Sequence, residues 1–337
     1  MTNEQPNASS GKWSLRKTLW FAMAISLGVS AYTAGWFIVA GRLESSLPRF
    51  FQHAANQGIH PVCSKAKISG YPLQMGIDCQ GTAVAFESQG FKVTLGKLFT
   101  AVPVYNPRRF TSIFDGPVNV TGADDLTAQL DWESMRTVAV LAKNGLDSGS
   151  AEGKRVSISA DSRALPFRLN AEIRQFTALA RGDDADLKIS VVAEGFTSPL
   201  ALDARSFALE VTIIGGAVLM QGGTKPSLRG KKLQLDTLNA ALADGGEIAL
   251  SGEIAVGDNG LANGDFRVQL TDYQAIAKSL QDIEPDLAEQ IIRFGPTLAA
   301  LDIDSTDGPQ TITVPFTVRQ GQIAIGIFDL GDLPIFQ

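Results

Sequence analysis

The 337-residue sequence predicts a mainly β protein: one N-terminal transmembrane helix, then a large antiparallel meander sheet, with one or two C-terminal helices covering it. Three observations carry this expectation. Residues 18–41 form an uncharged, largely apolar run of 24 residues. After Pro61 apolar residues recur at every second position, the period of a half-buried strand. Clusters of Gly, Asn and Asp separate those alternating runs, within a total of 33 glycines.

At about 1.5 Å per residue, a helix of residues 18–41 extends roughly 36 Å and crosses a hydrocarbon core of about 30 Å with some tilt. Lys12, Arg16 and Lys17 precede the run, whereas Arg42 and Glu44 follow it and cancel. That asymmetry favours a cytoplasmic N-terminus and a bulk on the other side. Trp13 and Trp20 lie near one end, Trp36 and Phe37 near the other, where amphipathic rings suit the headgroup level. Lys12, Trp13, Arg16, Lys17, Trp20 and Trp36 are therefore the expected membrane-interface anchors. The rival reading is a signal peptide cleaved after Val29-Ser30-Ala31. The apolar run continues for ten residues past that site, which favours a retained anchor; both readings export the rest of the chain.

The expected organisation is a cytoplasmic tail (1–17), an anchor (18–41), a helical stalk (42–60) and a β-rich domain (61–337). Leu43, Leu47, Phe50 and Phe51 give the stalk its apolar stripe; Pro48 should kink it and Gly58 should stop it. Beyond it, Phe91, Val93 and Leu95 alternate with wetter residues, as do Phe207, Leu209, Val211 and Ile213, and Ile312, Val314, Phe316 and Val318. Asp244-Gly245-Gly246, Asp258-Asn259-Gly260 and Gln320-Gly321 supply hairpin turns. Tyr273, Ile276, Ala277 and Leu280 repeat at helical spacing, with Thr271 or Asp272 as cap. Pro285 breaks or restarts that helix before a second stripe at Leu287, Ile291 and Ile292. One or two helices are few for so many one-sided strands. The sheet must close on itself as a curved sandwich or barrel, or leave an open apolar groove.

The only cysteines, Cys63 and Cys79, both lie outside the anchor, and in an oxidising compartment their spacing suits one disulfide. The alternative is two buried free thiols. Residues 1–42 carry four basic side chains and one acidic one, so the remainder is −9 within a chain of −6. An acidic domain has no basic stripe to track phosphates, which excludes nucleic acid as the expected partner.

Three stretches carry a family resemblance: Val62-Cys63 through Gly70-Tyr71-Pro72 to Asp78-Cys79; Ile248–Phe266 with its glycine punctuation; and Gly321-Gln322-Ile323 through Asp329-Leu330-Gly331 to Leu333-Pro334. Over most of residues 20–337 the chain resembles the uncharacterised alphaproteobacterial family called domain of unknown function 2125. The second stretch is also similar to repeats of AsmA-like envelope proteins, which are β-rich, anchored in the inner membrane and associated with lipid transport. The resemblance implies an inner (cytoplasmic) membrane anchor, a periplasmic bulk and contact with lipid. The chain is far shorter than the envelope-bridging members, and neither family supplies a catalytic residue.

No catalytic or metal-binding constellation stands out. The two histidines, His53 and His60, lie at the stalk; there is no Gly-x-Ser-x-Gly elbow and no P-loop. Asp183, Asp184 and Asp186 fit a solvated turn, as do Asp302 and Asp304, and Asp258-Asn259-Gly260 lacks the distal Glu of a calcium loop. The expectation is no enzyme, no cofactor and no metal. Tyr71, Pro72 and Tyr105 are candidates for a groove mouth, with Arg108-Arg109 placed to meet a phosphate. Two functions follow as expectations: a protein that binds or passes a lipid or other amphiphile along an apolar sheet face, or a periplasmic scaffold with a closed core that binds another envelope protein.

Overall fold

The computed structural model describes residues 15–333 except 57, 87–89, 123–124, 163–168, 199–202, 222–226, 282, 302–310 and 326–327. Lys12 and Trp13 lie outside the described residues, as do Asp302, Asp304 and the side chain of Arg16. The described chain begins with one helix, α1 (Leu15–Ala55), which runs unbroken from the segment expected as anchor into that expected as stalk and accommodates Pro48 inside. It ends three residues before Gly58, whose φ of +77° lets the backbone turn into the first strand. By length and composition α1 can cross a membrane.

Among the described residues sixteen antiparallel strands follow as a single sheet. They are β1 (Ile59–Ser69), β2 (Gln74–Phe86), β3 (Phe91–Pro103), β4 (Arg109–Thr121), β5 (Thr127–Asp131), β6 (Ser134–Ala142), β7 (Gly145–Asp161) and β8 (Leu169–Asp183). After them come β9 (Asp186–Thr197), β10 (Ala204–Ile214), β11 (Lys232–Leu242), β12 (Glu247–Val256), β13 (Ala262–Thr271), β14 (Thr311–Arg319), β15 (Gln322–Ile325) and β16 (Phe328–Asp332). Spatial order follows chain order, except that β5 and β6 share one place between β4 and β7. They are one strand interrupted at Trp132-Glu133. There the Trp132 amide donates to Asp131 Oδ1 and its indole Nε1 to the Phe114 carbonyl, both at 2.8 Å. Those bonds satisfy polar groups that the broken ladder leaves over.

Register keeps one face largely apolar across the sheet. Residues directly opposite in an antiparallel pair share a face. The row that passes through Ala66, Cys79, Leu98, Phe114, Met135, Gly153, Phe176, Ala193, Phe207, Ala240, Ile248, Leu270 and Ile312 has no polar member. The opposite face carries pairs such as Lys97 with Asp78, Lys232 with Glu253 and Arg319 with Asp265. On the apolar face Phe114, Phe176, Phe207, Leu209, Leu250 and Val268 remain only half-buried. A second packed layer would bury them fully, so this face is open over much of its width.

The C-terminal helices cover one end of it. Asp272 caps α2 (Tyr273–Leu280), its side chain accepting from the Ala275 amide at 3.3 Å. Pro285 opens α3 (Pro285–Leu301), where the missing N–H costs nothing. Ile276 is 1% exposed beneath α2, against Gly246 of the β11–β12 turn, and α3 packs on α2 and β14. A side chain at Gly246 would meet Ile276 Cγ1 at 2.6 Å, and its φ is +85°, so only glycine fits. Replacing Ile276 by Ala should lower the unfolding free energy by about 2–5 kcal/mol. Ile292→Ala, on the exposed side of α3, should change it by no more than about 0.5 kcal/mol. Denaturant unfolding of the purified chain measures both.

Candidate functional site

The site is built where α1 lies along the apolar face of β1–β4. Leu43, Leu47, Phe50 and Phe51 recur at helical spacing, so they share one side of α1 and form a wall. The floor comes from alternate residues of the first strands: Cys63 of β1, Ile77, Cys79 and Val84 of β2, and Leu98 and Thr100 of β3. Wall and floor enclose a cavity of about 520 Å³. A second cavity of about 350 Å³ lies towards the β1–β2 and β3–β4 turns, lined by Met75, Val102, Pro103, Val104, Pro107 and Phe110 among others. The two share Leu43, Ile77 and Thr100, so they form one continuous groove. Each lies in the size range of small-molecule sites.

Among the described residues no charged side chain lines the groove, and its hydroxyls are already used. Ser46 Oγ donates to the Arg42 carbonyl at 2.8 Å. Thr82 Oγ1 donates to Cys79 Sγ at 3.2 Å, and Thr100 Oγ1 pairs with Ser112 Oγ at 2.9 Å. A polar ligand would lose its water here without gaining a partner; an alkyl chain loses nothing.

Cys63 and Cys79 are joined as a disulfide with a Cα–Cα distance of 5.7 Å. Simple alternation would put them on opposite faces, because Cys63 stands opposite Thr82, an odd number of residues from Cys79. The alternation skips a place between them: Ser64 and Lys65 of β1 and Gln80 and Gly81 of β2 are all exposed. Gly81, at φ +64°, makes the skip possible. The disulfide thus ties the two sides of a slip in the groove floor.

The turn residues sit at one end of the groove. Tyr71 and Pro72 join β1 to β2, and Tyr105 lies between β3 and β4; the two turns are linked by the Val104 amide donating to the Leu73 carbonyl at 3.0 Å. None of the three lines the groove; Pro103 and Val104 do so beside Tyr105. Tyr71 is instead held by α1. Its hydroxyl pairs with Thr33 Oγ1 at 2.7 Å, and its ring stacks on Phe37 at 5.9 Å and meets the edge of Trp36 at 5.5 Å. The Tyr32 hydroxyl donates to the Pro72 carbonyl, and Trp36 Nε1 to the Gln74 carbonyl at 3.2 Å. Trp36 is consequently only 7% exposed: its ring faces protein, where the sequence suggested a headgroup contact. Trp20 points outward from α1, and Lys17 is exposed beside it.

The chemistry-bearing residues elsewhere are dispersed. Among the described residues no group of three or more His, Cys, Asp or Glu could hold a metal. The Asp183 carboxylate accepts a 2.6 Å hydrogen bond from Lys188, which with the lysine's charge lowers the Asp183 pKa and raises that of Lys188. Both groups are on the surface, so this is a solvated turn pair.

A helix long and apolar enough for a membrane, followed by one broad antiparallel meander with a half-exposed apolar face, defines the class of protein. The chain belongs to the family described as uncharacterized protein conserved in bacteria (DUF2125), whose model matches residues 36–334. No curated protein and no solved structure matches it.

Removing the disulfide with Cys63→Ser and Cys79→Ser should lower stability by about 3 kcal/mol, the chain-entropy value for a loop of this size. Thermal unfolding with and without reductant measures it, and reductant should leave the double variant unchanged.

Proposed function

We propose that this protein is a non-enzymatic envelope protein that binds or passes a lipid or other amphiphile along the apolar face of its sheet. In this reading α1 is retained and spans the inner membrane once, with its N-terminus in the cytoplasm and the sheet in the periplasm. The observation that carries the proposal is the groove between α1 and β1–β4, whose walls are apolar and whose hydroxyls, among the described residues, are all paired. It continues into an apolar face too wide for its two covering helices. Exposed apolar surface of that extent marks a ligand or partner. The uncharged run of 24 residues supports retention, since the apolar part of a signal peptide is about 7–15 residues long. The disulfide fits an oxidising compartment.

A second reading, a scaffold for another envelope protein, is favoured by one feature. Helix α3 leaves Leu287, Ile292, Phe294 and Leu298 exposed.

The test is mass spectrometry of an organic extract of residues 43–337, exported to an oxidising compartment and purified without detergent. One lipid class at about one molecule per chain is expected, the stoichiometry of a groove in the usual size range for a single ligand. Leu98→Asn and Ile77→Asn should empty the groove while the disulfide and cooperative unfolding persist. A stable, monodisperse domain without lipid would sink the lipid reading in favour of the scaffold.

A further inference from the structure

The β1–β2 turn at the groove's end meets α1 at an unexpected height, and the β3–β4 turn is tied to it through the Val104 amide and the Leu73 carbonyl. The β1–β2 turn contacts Tyr32, Thr33, Trp36 and Phe37, all inside the uncharged run that ends at Gly41. At about 1.5 Å per residue, Trp36 lies about 9 Å and Tyr32 about 15 Å before Arg42, the first charge after the run. Half a hydrocarbon core is about 15 Å. If α1 spans a bilayer, its partner turn shares that depth.

Composition and hydrogen bonding fit such immersion. Residues 68–77 and 98–107 contain no charged side chain, so the β1–β2 hairpin is uncharged on both sides of its tip and the β3–β4 hairpin on its β3 side and through its turn. Leu73 is 64% exposed and Tyr105 81%, and Tyr71 and Val104 are also exposed. Irregular backbone at membrane depth needs its polar groups satisfied by protein. Here the Gln74 amide donates to the Gly70 carbonyl at 2.9 Å, Val104 to Leu73 at 3.0 Å and Asn106 to Pro103 at 3.0 Å. Side chains of α1 take the Pro72 and Gln74 carbonyls. Pro72, Pro103 and Pro107 have no amide hydrogen to satisfy. Arg108 and Arg109 follow at once, exposed, where their long side chains reach the phosphate level.

Resting on the reading of α1 as a span and of the groove as a lipid site, we infer that the β1–β2 and β3–β4 turns dip into the leaflet facing the sheet. The groove then opens sideways into that leaflet and takes the acyl chain of a phospholipid directly from it. Met75, Val102, Pro103 and Val104 form the entrance, and the chain passes between Leu43 and Ile77 towards Cys79 and Leu98.

The experiment uses the full chain in vesicles of phosphatidylethanolamine and phosphatidylglycerol. The native cysteines are both in the disulfide, so introduced cysteines take a nitroxide label selectively. Labels are placed by Leu73→Cys and Tyr105→Cys at the tips, Val29→Cys in α1, and Val192→Cys on the exposed outer face of β9. Relaxation by oxygen, which partitions into lipid, should dominate at the tips and at Val29. Relaxation by a water-soluble nickel chelate should dominate at Val192. Val29 in lipid with both tips in water overturns the inference and leaves the span standing; Val29 in water as well overturns the span and the inference together.

A second arm adds a phospholipid with a photoactivatable acyl chain. Crosslinks should map to residues 75–102 and fall by about tenfold in a Leu73→Asp, Tyr105→Asp variant, since carboxylates resist entry into hydrocarbon. Tips in lipid with unchanged crosslinking, or with none in the unsubstituted chain, would overturn loading through this entrance; the second result would sink the lipid reading too.

Discussion

Everything in this structure depends on a two-residue alternation kept in phase through the thirteen strands that one apolar row crosses. An antiparallel pair transmits facing from one strand to the next, so a single slip would send every later apolar residue to the wrong side. The row from Ala66 to Ile312 stays apolar because each irregularity is compensated by its neighbours. The skip at Gly81 is matched in β1 at Ser64 and Lys65. The break at Trp132 is closed by two hydrogen bonds. What results is a sheet with one wet face and one greasy face, and too little helix to cover the latter.

The groove follows from where that excess meets α1. A helix offers a stripe and a strand offers alternate residues, and the two surfaces enclose space when their axes diverge. Phe50 and Phe51 reach across from one side, Leu98 and Val84 from the other. The hydroxyls inside are tied to the Arg42 carbonyl, to Cys79 and to Ser112. Such a space has shape and no directed polarity. It would discriminate by length and width of a chain more than by headgroup.

Much of this was legible in the sequence, for identifiable reasons. Alternation at Phe207, Leu209, Val211 and Ile213 survives directly as a strand face, because nothing tertiary competes with it. Asp272 was one of two candidate caps, and the structure selects it through its bond to Ala275. The long apolar helix and the first strand were legible as periods, though α1 ends at Ala55 and the strand begins at Ile59 within the expected stalk. The groove was not legible, because it depends on how a helix and a sheet distant in period come to lie together. Trp36 shows the difficulty: an aromatic near the end of an apolar run fits a headgroup anchor, and only the fold brings the β1–β2 turn to it. The phase skip had a faint signal in Gln80-Gly81, whose meaning needs the opposing Ser64.

The near-perfect match of strand order to chain order bears on assembly. Contacts between sequence neighbours close short loops and cost little chain entropy. A protein emerging N-terminus first finds α1 already present when β1 appears, and each later strand finds its template edge already laid down. Even the interrupted strand obeys this, since β5 and β6 both pair with β4 before β7 seals them. Most strands find their partner next in the chain, so the growing sheet exposes one advancing edge at a time; α2 and α3 emerge between β13 and β14, in place to cover the far end as the last three strands complete it.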